Sequence, residues 1–406
     1  MNKITKISTA VVEANFNWTY VRVYSDAEGG LYGTGECFFA PGLEKIIHEF
    51  EEILIGEDFT DTERLVEKMR WAASGAGSLS GIIWNAITGI EAALLDLKGK
   101  YFGLSVYQLL GGKFRERVRI YLDCHAGDSL EALSTLLQPR TPNWLNHKTN
   151  ENLSPEDEAE ASAVRAKEMA ELGYTALKFD LDLPGSTFDS AEGYSLKNSD
   201  IDWMVNLVEK IRTAVGPDID LAFDAHWRYR ANEIVKVARL IEPYNILWLE
   251  DPLPPHDERG LEYLKNQTVT PIATGENLQL RQGFWNLIVK DLCAIITPDF
   301  QKAGGLLEGK KIADMAAAAN KVVAPHMIGS PLALMASAHL SMSIPNFLAC
   351  EFHAHDVPFF HELLMDGTDG WFKPGWVTPN DKPGFGIELN EKVVKKYLLQ
   401  GSGCFE

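Results

Sequence analysis

A chain of 406 residues, 46% hydrophobic and 23% charged, is long and apolar enough to bury a sizeable core and reads as one large domain with a smaller companion. Its net charge of −19 disfavours nucleic acid and anionic membranes as partners, and an anionic substrate would need locally positive charge, which a bound metal supplies. Five scattered cysteines (Cys37, Cys124, Cys293, Cys350, Cys404) form no CxxC pair, and Met1 to Ala14 holds no long apolar run or cleavage site, so reduced thiols and a cytoplasmic location are expected.

The opening segment alternates apolar and polar residues through Ile4 to Val12 and Thr19 to Tyr24, turns at Asp26 to Gly30, and resumes as a strand over Leu31 to Cys37. Helices are expected over Leu43 to Leu54 and Ile82 to Lys100, the second with Ile90, Ala93, Leu94 and Leu97 at helical spacing. This is an α+β segment, closed by Gly111 and Gly112. From Val118 short apolar runs each precede a helical stretch: Val118 to Leu122, Ala176 to Phe179, Ile219 to Phe223, Ile246 to Leu249, Pro271 to Thr274, Cys293 to Ile296, Lys321 to Ala324 and Phe347 to Cys350. Eight βα units in about 250 residues predict an α/β fold with a closed (β/α) TIM-like barrel, since a doubly wound sheet stops at five or six strands. Ser199, three residues before Asp202, reads as a helix N-cap, with Gly216 at that helix's end. Residues Gly127 to Ser154, with Pro139, Pro142, Trp144 and His147, exceed an ordinary connection and are expected to serve function or assembly.

The ends of these runs carry acids and histidines, on the face where barrel enzymes place their chemistry. Asp224 ends LAFD, Glu250 ends ILWLE and Glu276 follows PIATG, at equal intervals of 26 residues. One βα unit of spacing puts three carboxylates on consecutive strand tips, where they repel unless a cation lies between them. Oxygen donors alone favour magnesium over zinc or iron. Asp299 and His326 follow at intervals of 23 and 27 residues, as neighbours. A carboxylate bonded to one imidazole nitrogen fixes the tautomer and raises the basicity of the other, so His326 is the candidate general base. Glu351 ends the eighth run, while Lys178 and Asp180, i and i+2 on the second, both face the mouth, Lys178 as the cation for a substrate carboxylate. Taken singly, an acid after a strand reads as a helix cap or a solvated side chain; five in register do not. His353 and His355, the period-2 partners of Glu351, point the same way if the extended conformation persists, but with His361 they read as surface or loop histidines, and Trp371 and Trp376 as parts of a structural turn. GTGEC lies within a hairpin and is no phosphate loop.

The ordered set KFD (178–180), DAH (224–226), EDP (250–252), GEN (275–277), PDFQKAGG (298–305), PH (325–326) and CE (350–351) resembles the mandelate racemase subgroup of the enolase superfamily. GxGE at 33–36, LLGG at 109–112 and PGFGIE at 383–388 extend the resemblance over nearly the whole chain. It implies a barrel of residues 118–374, capped by an α+β domain of residues 1–117 on which the tail 375–406 packs, with Mg²⁺ on Asp224, Glu250 and Glu276, and a homo-oligomer. Members that racemise carry a second lysine where Asp180 stands. Elimination of water needs one base and one acid. His226 matches the histidine of acid-sugar dehydratases of the galactonate and gluconate type and would be that acid. EDPLP and DKPGFGIE are also similar to mannonate dehydratases, which lack the Pro-Asp and His dyad, so mannonate ranks lower.

The expectation is therefore a Mg²⁺-dependent hydro-lyase of an aldonate, a small-molecule acid sugar. His326, oriented by Asp299, takes the C2 proton, and His226 protonates the departing 3-hydroxyl. Lys178, Asp180, His226 and Glu351 touch substrate, Glu351 hydrogen-bonds the ene-diolate, and the enol becomes a 2-keto-3-deoxy acid. The rivals are a racemase or epimerase of a 2-hydroxy acid, with Asp180 or a water as second base, and a non-catalytic sugar-acid-binding protein, against which the intact dyad argues. Stereochemistry falls to cap loops, Glu13 to Asn17 and Phe38 to Leu43.

Overall fold

The computed structural model describes residues 2–77, 79–125, 154–183 and 195–406; the expected insertion with Pro139, Pro142, Trp144 and His147 lies outside them. Three antiparallel strands open the fold in meander order: β1 (Ile4–Glu13), β2 (Asn17–Ser25) and β3 (Tyr32–Cys37). Helices α1 (Leu43–Leu54), α2 (Thr62–Ala72), α3 (Ile82–Phe102) and α4 (Val106–Leu109) follow. The glycines of β3 let α3 lie directly on the strand: a Cβ at Gly33 would stand 2.0 Å from the Ala93 carbonyl oxygen, and one at Gly35 2.2 Å from that of Gly89. GTGEC is thus a packing surface. Helix α2 was not foreseen, because TERLVEKMRWA buries only Thr62, Leu65 and Met69.

Among the described residues the larger body alternates strand and α-helix: β4 (Val118–Asp123), α5 (Pro155–Leu172), β5 (Ala176–Asp180), α6 (Asn198–Val215), β6 (Asp220–Asp224), α7 (Ala231–Leu240), β7 (Trp248–Glu250) and α8 (Glu258–Lys265). It continues with β8 (Ile272–Thr274), α9 (Leu280–Val289), β9 (Ile295–Ile296), α10 (Leu306–Ala318), β10 (Val322–Val323), α11 (Pro331–Met342) and β11 (Cys350–Phe352). Strands β4 to β10 pair in parallel in sequence order, and β11 pairs with β4. The ring closes through Phe347, which bridges Val323, and through Leu348 N–H, which donates to the Val323 carbonyl at 2.9 Å. The eighth strand therefore runs past the predicted Cys350: its first residues pair back to β10 and its last forward to β4. A hairpin of β12 (Phe372–Lys373) and β13 (Trp376–Val377) adds antiparallel to the outer end of β4, with Gly375 at φ 82° in its turn, and α12 (Glu391–Lys396) ends the order. No helix among the described residues is long and apolar enough to cross a membrane.

One boundary is corrected. Helix α6 begins at Asn198, and its N-terminus is closed by Asp200, which accepts from Lys197 N–H at 2.7 Å, so Ser199 lies inside the first turn rather than capping it. Gly216 does end that helix, at φ 72°.

Inside the ring a layer of Tyr121, Ala176, Ala222, Trp248, Ala273, Ile295, Ala324 and Ala349 fills the barrel. The alanines leave room for two large rings, Tyr121 and Trp248, which meet edge to face at 5.1 Å between centroids. They form the floor beneath the strand tips. Trp248 also donates from Nε1 to Glu250 Oε2 at 2.8 Å, so the floor orients a residue of the mouth.

The smaller body is fastened to the barrel by two buried glutamates. Glu36 of β3 accepts from Ser330 N–H at 3.0 Å and Ala333 N–H at 3.2 Å, at the start of α11, and Glu91 of α3 accepts from Leu306 and Leu307 N–H at 3.1 and 2.9 Å, at the start of α10. A carboxylate at a helix N-terminus satisfies otherwise orphaned donors. The C-terminal tail packs on β1, with Leu399 N–H and Phe405 N–H donating to the carbonyls of Val11 and Thr9.

Burial pushes the Glu91 carboxyl up to about 7, against the pull of its two amide donors. A carboxyl whose folded pKa is raised stabilises the fold fully below its unfolded pKa, and that contribution is lost as pH rises through the folded value. Glu91→Gln, which mimics the protonated acid, should therefore gain on wild type by an amount of order 3 kcal/mol between pH 4.5 and pH 8, read from urea midpoints. A constant difference across that range would contradict it.

Candidate active site

The tips of β6, β7 and β8 bring Asp224, Glu250 and Glu276 together, with one carboxylate oxygen from each within 4.8 Å of the others. Asp224 and Glu250 are fully buried. Among the described residues Glu250 Oε1 has no hydrogen-bond partner, although it is shielded from water. Burial raises the Glu250 carboxyl well above its usual range; Lys178 opposes this, while Asp224, Glu351 and Glu276 add to it. Burial would also raise Glu276, but His326 and Lys302 hold it down at about 2. Three hard oxygen donors converging with an orphaned buried oxygen fit a divalent cation such as magnesium. The neighbouring Asp251 carboxyl, pushed up by burial and then by Glu276 and Asp224 to about 8, accepts from Thr274 Oγ1 at 2.5 Å.

Lys178, on β5, is the counter-charge. Its buried Nζ lies 2.6 Å from Glu351 Oε1, 3.2 Å from Asp224 Oδ2 and 3.7 Å from Glu250 Oε2. Glu351, on β11, accepts with its other oxygen from Met327 N–H at 3.1 Å.

Beyond β9, Asp299 is fully buried, and its Oδ1 accepts from Gln301 N–H at 2.7 Å. Its Oδ2 meets His326 Nδ1 at 2.6 Å. In the neutral imidazole that pairing puts the proton on Nδ1 and leaves the lone pair on Nε2, which faces Glu276 Oε2 at 3.4 Å and Glu351 Oε2 at 3.7 Å. Burial lowers the His326 pKa, but Glu276, Glu351 and the Asp299 hydrogen bond together raise it to about 9.

His226 sits in a left-handed turn rather than on an extended strand: β6 ends at Asp224, and His226 and Trp227 have φ of 44° and 53°. The Asp224 carboxylate holds this turn by accepting from His226 N–H at 2.8 Å, and Asp251 accepts from Trp227 N–H through its carbonyl at 2.5 Å. Two successive non-glycine residues in this region carry strain that the surrounding bonds must sustain. His226 Nδ1 lies 3.1 Å from Asp182 Oδ2 and 4.0 Å from Asp180 Oδ1. Burial lowers its pKa, but Asp224, Asp180 and Asp182 raise it well above the ordinary histidine value.

Every candidate read from the strand tips thus lies in one mouth, and the structure adds residues the sequence reading passed over. His353, expected at the surface, is buried: its Nε2 lies 3.0 Å from Asp123 Oδ2 and its Nδ1 3.1 Å from Asn15 Nδ2. His355 instead meets the Tyr174 hydroxyl at 3.2 Å, and His361 the Thr368 hydroxyl at 2.5 Å. Asp123 and His125 stand at i and i+2 on the tip of β4, the same spacing as Asp180 and Asp182, Asp224 and His226, and Glu351 and His353. That repeated spacing was the available signal. The cap supplies a roof: Phe38 stacks on Phe39 at 4.5 Å, Phe39 on Phe16 at 4.2 Å, and Phe38 lies 6.0 Å from the His326 ring.

Comparison with known proteins agrees with this architecture. Residues 4–111 match the mandelate racemase / muconate lactonizing enzyme N-terminal domain, and residues 161–393 match the enolase C-terminal domain-like family. The chain is 37% identical over 404 residues to the D-xylonate dehydratase of Haloferax volcanii, covering 100% of this chain and 91% of that one. It is 29% identical over 399 residues to the D-galactonate dehydratase of Pectobacterium atrosepticum, covering 97% and 93%. A mandelate racemase/muconate lactonizing enzyme-like protein from Rubrobacter xylanophilus superposes with a TM-score of 0.89 at 35% identity over 100% of both chains.

Proposed function

This chain belongs to the mandelate racemase / muconate lactonizing enzyme family of the enolase superfamily, and we propose that within it the chain is a Mg²⁺-dependent acid-sugar dehydratase. The observation that carries the reading is the opposition of two histidines with different partners across one cluster of carboxylates. His326 is backed by Asp299 and presents a free Nε2; His226 is held by acids on its Nδ1 side.

Asp224, Glu250 and Glu276 would hold the magnesium ion, which supplies positive charge that acidifies the C2 proton of a bound 2-hydroxy acid. Lys178, already among three carboxylates, offers its ammonium to the substrate carboxylate. His326 Nε2 removes the C2 proton, and Glu351, steadied by Lys178 and Met327 N–H, shares a hydrogen bond with the ene-diolate that develops. The C3–O bond then breaks as His226 gives its proton to the departing hydroxyl, so that water leaves and an enol remains. The enol tautomerises to a 2-keto-3-deoxy acid. One base and one acid suffice, and Asp180, where racemising relatives carry a lysine, acts here as a substrate contact beside His226. D-xylonate and D-galactonate, the acids in the names of the two relatives, set the starting point of a substrate screen.

The test is a library of aldonates assayed for 2-keto acid with added Mg²⁺. At least one should turn over, activity should vanish with a chelator and return with Mg²⁺, and Glu250→Gln should weaken Mg²⁺ binding by at least about tenfold through loss of one of three charges. Undiminished turnover in a verified metal-free preparation refutes the metal; absence of keto acid from every aldonate refutes the dehydratase.

A further inference from the structure

The chemistry above uses the β5 to β11 side of the mouth and leaves the tip of β4 without a role. There a chain of hydrogen bonds runs from the cap into the barrel. Asn15 Oδ1 accepts from Phe16 N–H at 3.1 Å, so its amide NH₂ is the group that faces His353 Nδ1 at 3.1 Å. His353 Nδ1 is then an acceptor, and Nε2 carries the proton that it donates to Asp123 Oδ2 at 3.0 Å. Each direction is fixed by the one before it. The other oxygen, Asp123 Oδ1, is buried and accepts no hydrogen bond from the described residues, although the side chain is only 7% exposed. A buried carboxylate oxygen left in this state is costly unless a donor reaches it.

The position of Asp123 says which donor. From His226, polar side chains lead in short steps to it: Asp180 Oδ1 is 4.0 Å from His226 Nδ1, Asp180 Oδ2 is 3.9 Å from His125 Nδ1, and His125 Nε2 is 3.8 Å from Asp123 Oδ2. Asp123 is also paired in register with Lys178 across β4 and β5. A sugar acid with C1 at Lys178 and its 3-hydroxyl at His226 would have these side chains available to its remaining hydroxyls. A carboxylate oxygen beside an imidazole suits a row of hydroxyls, each both donor and acceptor.

We propose that Asp123, held by His353 and Asn15 and flanked by His125, is the residue that binds the hydroxyls beyond C3 and so selects aldonates of five or six carbons over shorter 2-hydroxy acids. This rests on the dehydratase reading. Asp123, His125 and His353 also form a two-histidine, one-carboxylate set with ligand atoms within 4.8 Å, but the proton on His353 Nε2 occupies the position a metal would need.

The test compares a five-carbon aldonate with glycerate, which has a C2 proton and a 3-hydroxyl but nothing beyond. Asp123→Asn should lower kcat/KM for the aldonate by about a hundredfold, chiefly through KM, and change kcat/KM and C2 deuterium exchange for glycerate by no more than about threefold. Asn15→Ala, which leaves Asp123 in place but unbraces it, should show the same split at smaller size. Equal losses on both acids would overturn the proposal, as would tight Zn²⁺ binding that survives Glu250→Gln and disappears in Asp123→Asn. A wild-type protein that dehydrates no acid sugar is a separate failure, of the dehydratase reading. Calorimetry then decides: the aldonate must still bind wild type more tightly than Asp123→Asn, with glycerate binding both alike.

Discussion

His326→Asn should abolish turnover, by a factor of about 10³ to 10⁴, and with it the exchange of the substrate C2 proton for deuterium from solvent. The expectation follows from which nitrogen is engaged. Asp299 holds Nδ1 at 2.6 Å and is itself fixed by Gln301 N–H, so the imidazole is oriented with Nε2 toward Glu276 and Glu351, where the proposed mechanism puts the reacting carbon. Asparagine keeps a polar group and a hydrogen bond to Asp299 while removing the only nitrogen able to take the proton. None of Asp224, Glu250, Glu276 or Lys178 changes, so Mg²⁺ and aldonate affinities measured by calorimetry should remain within a few-fold of wild type. That separation of binding from chemistry is the sensitive part of the measurement. Exchange persisting at the wild-type rate would remove His326 from the role of base.

The residues of this mouth were legible because barrel topology converts sequence spacing into neighbourhood. Asp224, Glu250, Glu276, Asp299 and His326 recur once per βα unit, and each unit advances one strand around the ring, so a regular interval is enough to predict convergence. What the interval does not encode is contact between units far apart in the chain. His353 looked like a loop histidine because its partners are Asp123, on the opposite side of the ring closure, and Asn15, 338 residues away in the cap. Glu36 and Glu91 were equally silent: each caps a barrel helix, and nothing local to either residue shows which helix N-terminus it will meet. His226 was placed by strand alternation, yet it reaches its position through a left-handed turn that the Asp224 carboxylate stabilises, and alternation has no symbol for such a turn. Helix α2, with three buried residues in eleven, has too narrow an apolar stripe for periodicity to detect against its charges.

His226→Gln should separate two events that His326→Asn removes together: dehydration falls by about a hundredfold or more, while C2 exchange persists near the wild-type rate. The reason is order. The base acts first, at C2, and its constellation of Asp299, Glu276 and Glu351 includes no atom of His226. The acid is needed only when the C3–O bond breaks, and there His226, with Asp182 at 3.1 Å and Asp180 at 4.0 Å on its Nδ1 side, is the proton donor of the proposed mechanism. Glutamine retains length and a donor N–H but cannot release a proton at neutral pH, so it preserves substrate contacts while withdrawing the acid. The His226 backbone N–H still donates to Asp224 in this variant, which keeps the carboxylate cluster in place. In a substrate that is enolised without being dehydrated, the same single-base arrangement returns deuterium to the face from which hydrogen left, so C2 is labelled without inversion. Efficient inversion at C2 by the wild-type protein, with no keto acid formed, would instead require a second base, Asp180 or a water, and would favour the epimerase.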